Sequence, residues 1–276
     1  MGSPAVELET LKTDYTAKSV RPGSLRSLLP HFRSTRSFDP GVLSFPAPHQ
    51  IALGTENIAG TVTGDDRTTR IVNVAVAALM LVIAAPIFLF VALLIKLTSR
   101  GPVLYKQTRV GLDRRWNRKP SHENLRVNDL GGRPFTMCKF RTMVIDAEPD
   151  NREVWATPRD ERVTPVGRFL RASRLDELPQ LLNVLAGDMN IVGPRPERPG
   201  IFAELRNEIP NYHLRQRVMP GITGWAQVNQ SYDTCVGDVR RKVAYDLEYL
   251  GTRSVVRDLS IMARTIPIMF LCRFGW

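Results

Sequence analysis

Two adjacent carboxylates, Asp176 and Glu177, are the residues in this chain whose types and spacing point most directly to chemistry. Arg171 and Arg174 lie just before them, and a compact apolar run, Leu178–Leu185, follows. A carboxylate can attack phosphorus directly or hold a metal ion, and guanidinium groups can clamp phosphate oxygens. The cluster therefore favours phosphoryl chemistry.

The element that must carry this pair is a short helix. Pro179 suits only the first turn of a helix, where no backbone N–H is needed, and a glycine commonly ends one. The pattern thus predicts a helix that begins near Asp176 and ends at Gly187. Both carboxylates would lie at its N-terminus, where the dipole lowers carboxylate pKa values and favours phosphate. On local sequence alone, Asp176 and Glu177 could equally cap the helix and pair with nearby arginines.

A second stretch, Gly187–Glu197, contains a rigid Gly–Pro–Arg–Pro turn after a short apolar strand, Ile191–Val192. Prolines on both sides of Arg195 restrict its backbone. A guanidinium on a stiff turn suits bidentate phosphate binding, so Arg171 and Arg195 could clamp a diphosphate.

Other catalytic chemistries fit the residues less well. A Ser-His-Asp arrangement has no support, because none of the four histidines is close in sequence to a plausible nucleophile. Glycosidic hydrolysis needs carboxylates on opposite sides of the bond, which adjacent residues cannot provide. Attack on phosphorus needs cations to shield two anions from each other, and Glu177 could hold Mg²⁺ for that purpose.

Four stretches together resemble the bacterial sugar transferases, the monotopic polyprenyl-phosphate phosphoglycosyl transferases. The resemblance covers roughly Arg67 to Arg264, and the string LDELPQLLNVLAGDMNIVGPRPERP at Leu175–Pro199 is highly specific to that family. The four stretches are Lys139–Met143, Arg171–Leu185, Gly187–Glu197 and Pro220–Asn229.

The resemblance implies a reaction and a set of roles. Asp176 would be the nucleophile and Glu177 the Mg²⁺-associated carboxylate. A UDP-sugar would give its sugar-1-phosphate to Asp176 with release of UMP, and a polyprenyl (undecaprenyl) phosphate would then accept it. The product, polyprenyl-diphosphate-sugar, would initiate exopolysaccharide or other surface glycan synthesis. The substrate-binding cations would be Lys139, Arg141, Arg171 and Arg195.

The composition is strongly basic, with a formal net charge of +11 and a pI near 10.1. Such an excess predicts an anionic partner, either anionic lipid or a phosphorylated substrate. No nucleic-acid-binding signature accompanies it, so nucleic acid is not an expected partner. Three widely spaced cysteines argue against a disulfide framework and suit the cytosol. The first 40 residues contain no apolar segment typical of a secretory signal.

The stretch Ile71–Ile95 is uncharged and long enough to span a bilayer. Pro86 lies just past its middle, and basic residues flank both ends. Because basic flanks prefer the cytoplasmic side, a segment that enters, bends at Pro86 and returns to the same face fits better than a straight span. The family resemblance also implies a re-entrant helix–break–helix anchor.

The predicted fold is helix-rich α+β. The protein would be a monotopic membrane protein on the cytoplasmic face of the bacterial inner (plasma) membrane. A mostly disordered basic tail would occupy residues 1–66, the re-entrant anchor 67–98 and the catalytic domain 99–276, with an inserted loop at about 114–130. Val103–Val110 and Phe135–Arg141 would form a small β-hairpin. Val239–Leu250 has a helical period. Val255–Phe270 would form an amphipathic helix that either lies in the membrane interface or packs on the core.

Two rival functions fit some of these features. A non-catalytic scaffold binding anionic lipid would account for the charge and the anchor, but not for the Gly–Pro–Arg–Pro turn. A metal-dependent phosphatase on lipid diphosphates is a second alternative. The sequence specifies neither the sugar nor the oligomeric state, although a homo-oligomer is compatible with it.

Overall fold

The computed structural model describes residues 67–114, 131–147, 160–230 and 236–271. The predicted tail at 1–66 lies outside these residues, as does the predicted inserted loop beyond residue 114. The described part is helix-rich α+β, as predicted. Its elements are α1 (Arg67–Thr98), β1 (Leu104–Val110), β2 (Pro134–Phe140), α2 (Pro165–Ala172), α3 (Gln180–Ala186), β3 (Asn190–Val192), α4 (Pro199–Glu208), β4 (Gly221–Thr223), α5 (Trp225–Asn229), α6 (Val236–Thr252) and α7 (Val255–Leu271), with 3₁₀ turns at Leu175–Glu177 and Tyr212–Arg217.

Helix α1 contains the apolar run and is 32 residues long. Among the described helices it is the one long and apolar enough to cross a membrane, and only 17% of its most apolar window is buried. The prediction that the helix is broken at Pro86 is wrong, because helical residues continue on both sides of the proline. A proline removes one N–H donor, and a long helix of good formers such as Ala84 and Ala85 tolerates that loss.

The first turns of α1 are bound to the rest of the fold through polar contacts. The buried Asn73 accepts a hydrogen bond from the Ile191 N–H at 2.6 Å, which joins α1 to β3. Arg70 donates to the backbone carbonyls of Leu185 at 3.1 Å and Met189 at 3.5 Å. These carbonyls lie at and just after the end of α3, where the helix leaves acceptors without partners.

The C-terminal half of α1 and the two residues that follow it contact the same domain. Arg141 donates hydrogen bonds to the Ser99 carbonyl at 3.0 Å and to the Arg100 carbonyl. Phe88 packs against Phe140, with the ring centroids 5.2 Å apart. Both ends of the apolar helix therefore contact one folded unit.

Strands β1 and β2 form the predicted antiparallel hairpin, with bounds within one residue of Val103–Val110 and Phe135–Arg141. The side chain of Asn183 in α3 binds the free edge of β2 as a further strand would. Its Oδ1 accepts from the Cys138 N–H at 3.0 Å, and its Nδ2 donates to the Thr136 carbonyl at 2.7 Å. Helix α3 is thereby fixed against the hairpin.

Strands β3 and β4 form a short parallel pair. The prediction of a strand at Ile191–Val192 is confirmed. The Pro220–Gly221 and Gly224–Trp225 pairs predict that Val218–Asn229 is a bent loop, and this prediction is wrong because β4 and α5 lie within the stretch. The pairing needs glycine in both segments, since a Cβ on Gly221 would lie 2.1 Å from the Gly193 nitrogen. This close approach joins the Gly–Pro–Arg–Pro turn to the β4 segment.

The two C-terminal helices match the predicted periodicity. Val239, Val243, Leu247 and Leu250 of α6 are all buried, which confirms the helical period. Helix α7 buries Ile261 and contacts β4 through a hydrogen bond between the Thr223 and Thr265 hydroxyls, 2.8 Å apart. It therefore packs on the core along one face, while three of its apolar side chains remain exposed: Val256, Leu259 and Ile266.

Candidate active site

The Asp176–Glu177 pair lies on a 3₁₀ turn, not at the start of an α-helix as predicted. Helix α3 begins only after Pro179 and ends, as predicted, at Gly187, which has a φ of 86°. Pro179 explains the late start because it has no N–H to donate to the Leu175 carbonyl. That carbonyl instead accepts from the Leu178 N–H at 3.2 Å, which is the shorter 3₁₀ spacing.

The interpretation of the two carboxylates as helix caps is not supported. The residues that precede the 3₁₀ turn and α3 are Arg174 and Pro179, and neither start has a side-chain cap. Asp176 and Glu177 are instead buried, with 7% and 8% of their surface exposed. Burying two neighbouring carboxylates is costly unless cations or donors compensate. The pair is therefore part of a charged site.

Glu177 is held between two cations. Arg195 binds it with two parallel hydrogen bonds, one of them from Nη1 to Oε2 at 3.3 Å, and the Lys139 ammonium lies 3.2 Å from Oε1. Burial alone would favour the neutral carboxyl, but Arg195 and Lys139 outweigh it and hold the pKa of Glu177 well below its usual range. Glu177 is therefore ionised and fixed in orientation.

Asp176 has a different environment from its neighbour. Its carboxylate makes no hydrogen bond to any of the residues that the structure describes. Burial, together with repulsion from Glu177, raises the pKa of Asp176 to about 6, although Lys139 and Arg171 oppose the shift. The predicted lowering of pKa is thus confirmed for Glu177 and wrong for Asp176. The carboxylate is still ionised at neutral pH and is not engaged by hydrogen bonds.

The four predicted substrate-binding cations have different surroundings. Lys139 and Arg195 contact Glu177 directly. Arg171 donates from Nε to the Thr142 hydroxyl at 3.0 Å and is close enough to influence the pKa of Asp176. The guanidinium of Arg141 instead binds backbone carbonyls at the end of α1. Three of the four therefore surround the carboxylates, and Arg141 connects β2 to the apolar helix.

The turn that carries Arg195 is fixed by a buried arginine that the sequence patterns did not single out. Arg215 is 1% exposed and donates to the Arg195 carbonyl at 3.1 Å. It also binds Asp246 at 2.6 Å and the Tyr212 hydroxyl at 2.8 Å. Since α6 provides Asp246, the helix behind the site determines where the Arg195 backbone lies.

Glu197 extends the same support on the other side of the turn. Lys242 donates to its carboxylate at 2.9 Å, and Arg109 and Arg215 lie within 4.0 Å. Burial opposes ionisation, but these cations lower the pKa of Glu197 to about 2. Arg109 also donates to the Pro196 carbonyl at 3.1 Å. The stiff turn predicted from its prolines is thus held by side chains as well.

Gln180 is a second residue that sequence reasoning missed. It begins α3, one helical turn after Glu177, and is fully buried. Neither its amide oxygen nor its amide nitrogen has a hydrogen-bond partner among the residues that the structure describes. Buried unpaired amides are costly and uncommon in folded proteins. No local sequence pattern marks such a residue, because its burial depends on packing between distant segments.

The residues present fit a magnesium ion bound partly by substrate. Within the described residues, no three acidic, histidine or cysteine side chains cluster, so a protein-only cage is absent there. Magnesium usually takes one or two carboxylates together with phosphate oxygens. Glu177 accepts three hydrogen bonds and keeps acceptor capacity on Oε2, and the Asp176 carboxylate has no hydrogen-bond partner in that part of the chain.

The buried acidic pair, with cations around it, is a candidate site for phosphate chemistry. Comparison with known sequences identifies the group of enzymes. The profile of the bacterial sugar transferases matches residues 65–272, and the chain belongs to that family.

Individual relatives agree with this assignment. The chain is 42% identical over 205 residues to the UDP-glucose:undecaprenyl-phosphate glucose-1-phosphate transferase of Caulobacter vibrioides. The matched stretch covers 73% of this chain and 69% of the relative. It is 40% identical over 199 residues to the Escherichia coli enzyme of the same name, covering 71% of this chain and 39% of that one. A UDP-N-acetylgalactosamine-undecaprenyl-phosphate N-acetylgalactosaminephosphotransferase of Aeromonas hydrophila is 38% identical over 206 residues, covering 75% and 44%.

Proposed function

We propose that this protein transfers a sugar-1-phosphate from a UDP-sugar to undecaprenyl phosphate through an intermediate on Asp176. The relatives are named for this class of transfer, with glucose in two and N-acetylgalactosamine in a third, so the sugar itself stays open. The product, a polyprenyl-diphosphate-sugar, would initiate surface glycan synthesis.

One observation carries the assignment of roles within the acidic pair. Asp176 makes no hydrogen bond to the described residues, whereas Glu177 is bound by Arg195 and Lys139. A nucleophilic carboxylate needs available lone pairs, and a carboxylate held by two cations is a poorer nucleophile. The difference favours Asp176 as the attacking group and Glu177 as the residue that orients cations around it.

In the first half-reaction, an oxygen of the Asp176 carboxylate attacks the sugar-linked phosphorus of the donor. The bond from that phosphorus to the bridging oxygen breaks, and UMP leaves with the electron pair. Arg171 and Arg195 neutralise the phosphate charge during the attack, because two anions would otherwise repel each other. The enzyme then carries the phosphosugar as an acyl phosphate on Asp176.

In the second half-reaction, a phosphate oxygen of undecaprenyl phosphate attacks the same phosphorus. The bond to Asp176 breaks, and the carboxylate is regenerated. Lys139, half-buried and 3.2 Å from Glu177, adds positive charge that stabilises both attacks. The two steps use one nucleophile and one set of cations, so the kinetics would be ping-pong.

Mg²⁺ is the cofactor we propose, with Glu177 as its protein ligand. When bound, it would shield charge on the diphosphate. The residues of the chain bind the donor and orient the nucleophile, Asp176, whose carboxylate is regenerated after the transfer.

The apolar helix α1 would hold this site at the height of lipid phosphates. Its two ends contact one folded unit, through Asn73 at the start and through Ser99 and Arg100 at the end. A helix that crossed the bilayer would have its ends on opposite sides of about 30 Å of hydrocarbon. The contacts thus support a re-entrant anchor, and we place the domain on the cytoplasmic face of the inner membrane because both flanks of the apolar run are basic.

The decisive experiment gives the purified full chain its donor without any lipid acceptor. A panel of UDP-sugars is incubated with the protein and Mg²⁺ in detergent, and UMP release is measured alongside intact-protein mass. The expected result with the correct sugar is UMP in an amount limited by enzyme sites and a phosphosugar adduct that peptide mapping assigns to Asp176.

Variants of the acidic pair provide the controls. Asp176→Asn keeps the shape of the side chain but removes the nucleophile, so the adduct and turnover should both vanish. Asp176→Glu should fail nearly as badly, because moving the attacking oxygen by about 1 Å disturbs the in-line geometry. Glu177→Gln should slow both half-reactions and weaken the dependence on Mg²⁺. A folded Asp176→Asn protein that releases UMP at a near wild-type rate would contradict the proposal.

A further inference from the structure

A pocket of about 540 Å³ opens at the C-terminal end of α3, away from the acidic pair. Asp176 and Glu177 precede the first residue of α3, whereas Gly187 and Asp188, just beyond its last residue, line the pocket. The seven residues of α3 extend for about 10 Å, so the pocket is distinct from the acidic site.

Three arginines dominate the lining of this pocket. Arg114 and Arg133 are exposed there, and within the described residues neither guanidinium is paired with a carboxylate. Arg70 is the third, and its recorded hydrogen bonds go to backbone carbonyls. With Asp188 as the acidic lining residue, three positive charges face one negative charge. The excess cannot be explained by ion pairs within the described fold, which points to an anionic ligand.

The backbone around Arg70 keeps its guanidinium in a fixed position. Its two hydrogen bonds reach the carbonyls of Leu185 and Met189, on either side of Gly187. A Cβ on Gly187 would lie 3.5 Å from the Arg70 Nη2, and the φ of +86° at this position already favours glycine. The carbonyls orient Arg70 without neutralising it. The guanidinium therefore keeps its positive charge, and its remaining N–H donors are available to a ligand.

The location of Arg70 on α1 indicates where the ligand comes from. The next residue, Ile71, is 68% exposed and begins the uncharged run of the helix. Along the same helix, other large apolar side chains are exposed, including Leu79, Val82 and Leu89. The pocket thus lies where an exposed apolar surface meets a cluster of arginines, and the acyl chains and headgroup of a phospholipid would match these two surfaces.

We propose that this pocket binds a phosphate group through Arg70, Arg114 and Arg133. A phospholipid headgroup and a soluble phosphate share this chemistry, and the start of the apolar run at Ile71 favours the headgroup. The inference goes beyond the proposed sugar transfer, and its lipid source rests on the proposed membrane association.

The test compares a pocket variant with a charge-matched control. Arg114→Gln/Arg133→Gln removes two exposed charges from the pocket, and Arg240→Gln/Arg241→Gln removes two charges from α6, where Arg240 and Arg241 are also exposed. Native mass spectrometry of the full chain in uncharged detergent measures binding of phosphatidylglycerol. Calorimetry in the same detergent measures binding of inorganic phosphate. We expect about tenfold or more weaker phosphatidylglycerol binding in the pocket variant and little change in the control.

Each outcome has one meaning. Loss of lipid binding in the pocket variant alone supports the headgroup as ligand, whereas loss of inorganic phosphate binding alone supports a soluble phosphate. Equal binding in wild type and pocket variant for both probes, or an equal drop in the control, would overturn the proposal. Release of UMP from donor is measured in parallel and should be unchanged in the pocket variant. Failure of sugar transfer would instead appear as no UMP release by the wild type.

Discussion

At the scale of single residues, two adjacent carboxylates differ in pKa because their neighbours differ. Asp176 and Glu177 are adjacent and equally buried, yet the pKa of one is raised and that of the other lowered. The difference arises because Arg195 lies on a turn that reaches Glu177, and that turn is fixed from behind by Arg215. The electrostatic environment of the pair therefore depends on Arg215, which contacts neither carboxylate.

This dependence predicts a specific defect for Arg215→Lys. The variant keeps the charge facing Asp246 but loses the planar fork that also reaches the Arg195 carbonyl. We expect a KM for the UDP-sugar raised about tenfold, corresponding to about 1.4 kcal/mol of lost binding, with a smaller change in kcat. Steady-state kinetics of UMP release with saturating acceptor would measure this.

Arg217→Lys, in the same 3₁₀ turn, is the matched control and should leave the KM near the wild-type value. A lower melting temperature for Arg215→Lys with an unchanged KM would mean that Arg215 stabilises the fold without positioning Arg195.

Much of the residue-level site could be predicted from sequence, because its members lie within short specific stretches. Asp176, Glu177 and Arg195 fall within one continuous string, and Lys139 in another. The raised pKa of Asp176 could not be predicted, since it comes from burial by distant segments. The same holds for Arg141, whose side chain is bound to carbonyls at the end of α1.

At the scale of elements, the structure joins segments that local patterns treat separately. Helix α1 resembles an independent anchor in sequence, but Asn73 and Arg70 bind the chain around β3 and the end of α3. Strand β4 is only three residues long and is flanked by proline and glycine, so no periodicity reveals it. It exists because Gly193 and Gly221 allow two backbones to meet.

The contacts at both ends of α1 predict that the two ends lie on the same side of the membrane. Single cysteines replacing Arg67 or Arg100 in a chain without its native cysteines should react with an impermeant maleimide from the cytoplasmic side only. Inverted membrane vesicles and spheroplasts distinguish the two sides. A cysteine replacing Leu79, which is exposed at mid-helix, should be protected from both sides by lipid. Labelling of the two ends from opposite sides would mean that α1 spans the bilayer.

At the scale of the whole molecule, the described fold and the family match cover nearly the same residues. The profile begins at residue 65 and the described chain at residue 67, and every side-chain contact assigned to the site is made after that point. The predicted division of the chain at about residue 66 stays a prediction, because the tail lies outside the described residues.

A chain that begins at residue 65 should therefore retain its chemistry. In detergent with Mg²⁺ and donor, we expect UMP release within about twofold of the full chain, because every contact that the structure describes at the site is made by residues after 66. Circular dichroism would establish that the shortened protein is folded. A folded shortened protein without UMP release would show that the first 64 residues take part in the reaction.

Helix α1 is packed into the hydrophobic core of the domain. Ala77 belongs to the same hydrophobic core as Val184 and Ile191, and Asn73 completes the hydrogen bonding of β3. Helix α1 and the domain therefore share one core, so a bilayer that holds α1 would stabilise this unit as a ligand stabilises its receptor. Changes in lipid composition should then alter the unfolding free energy of the catalytic domain. Deleting α1 to obtain a water-soluble enzyme would remove part of the core, so a soluble version would require redesign of the exposed face of the helix.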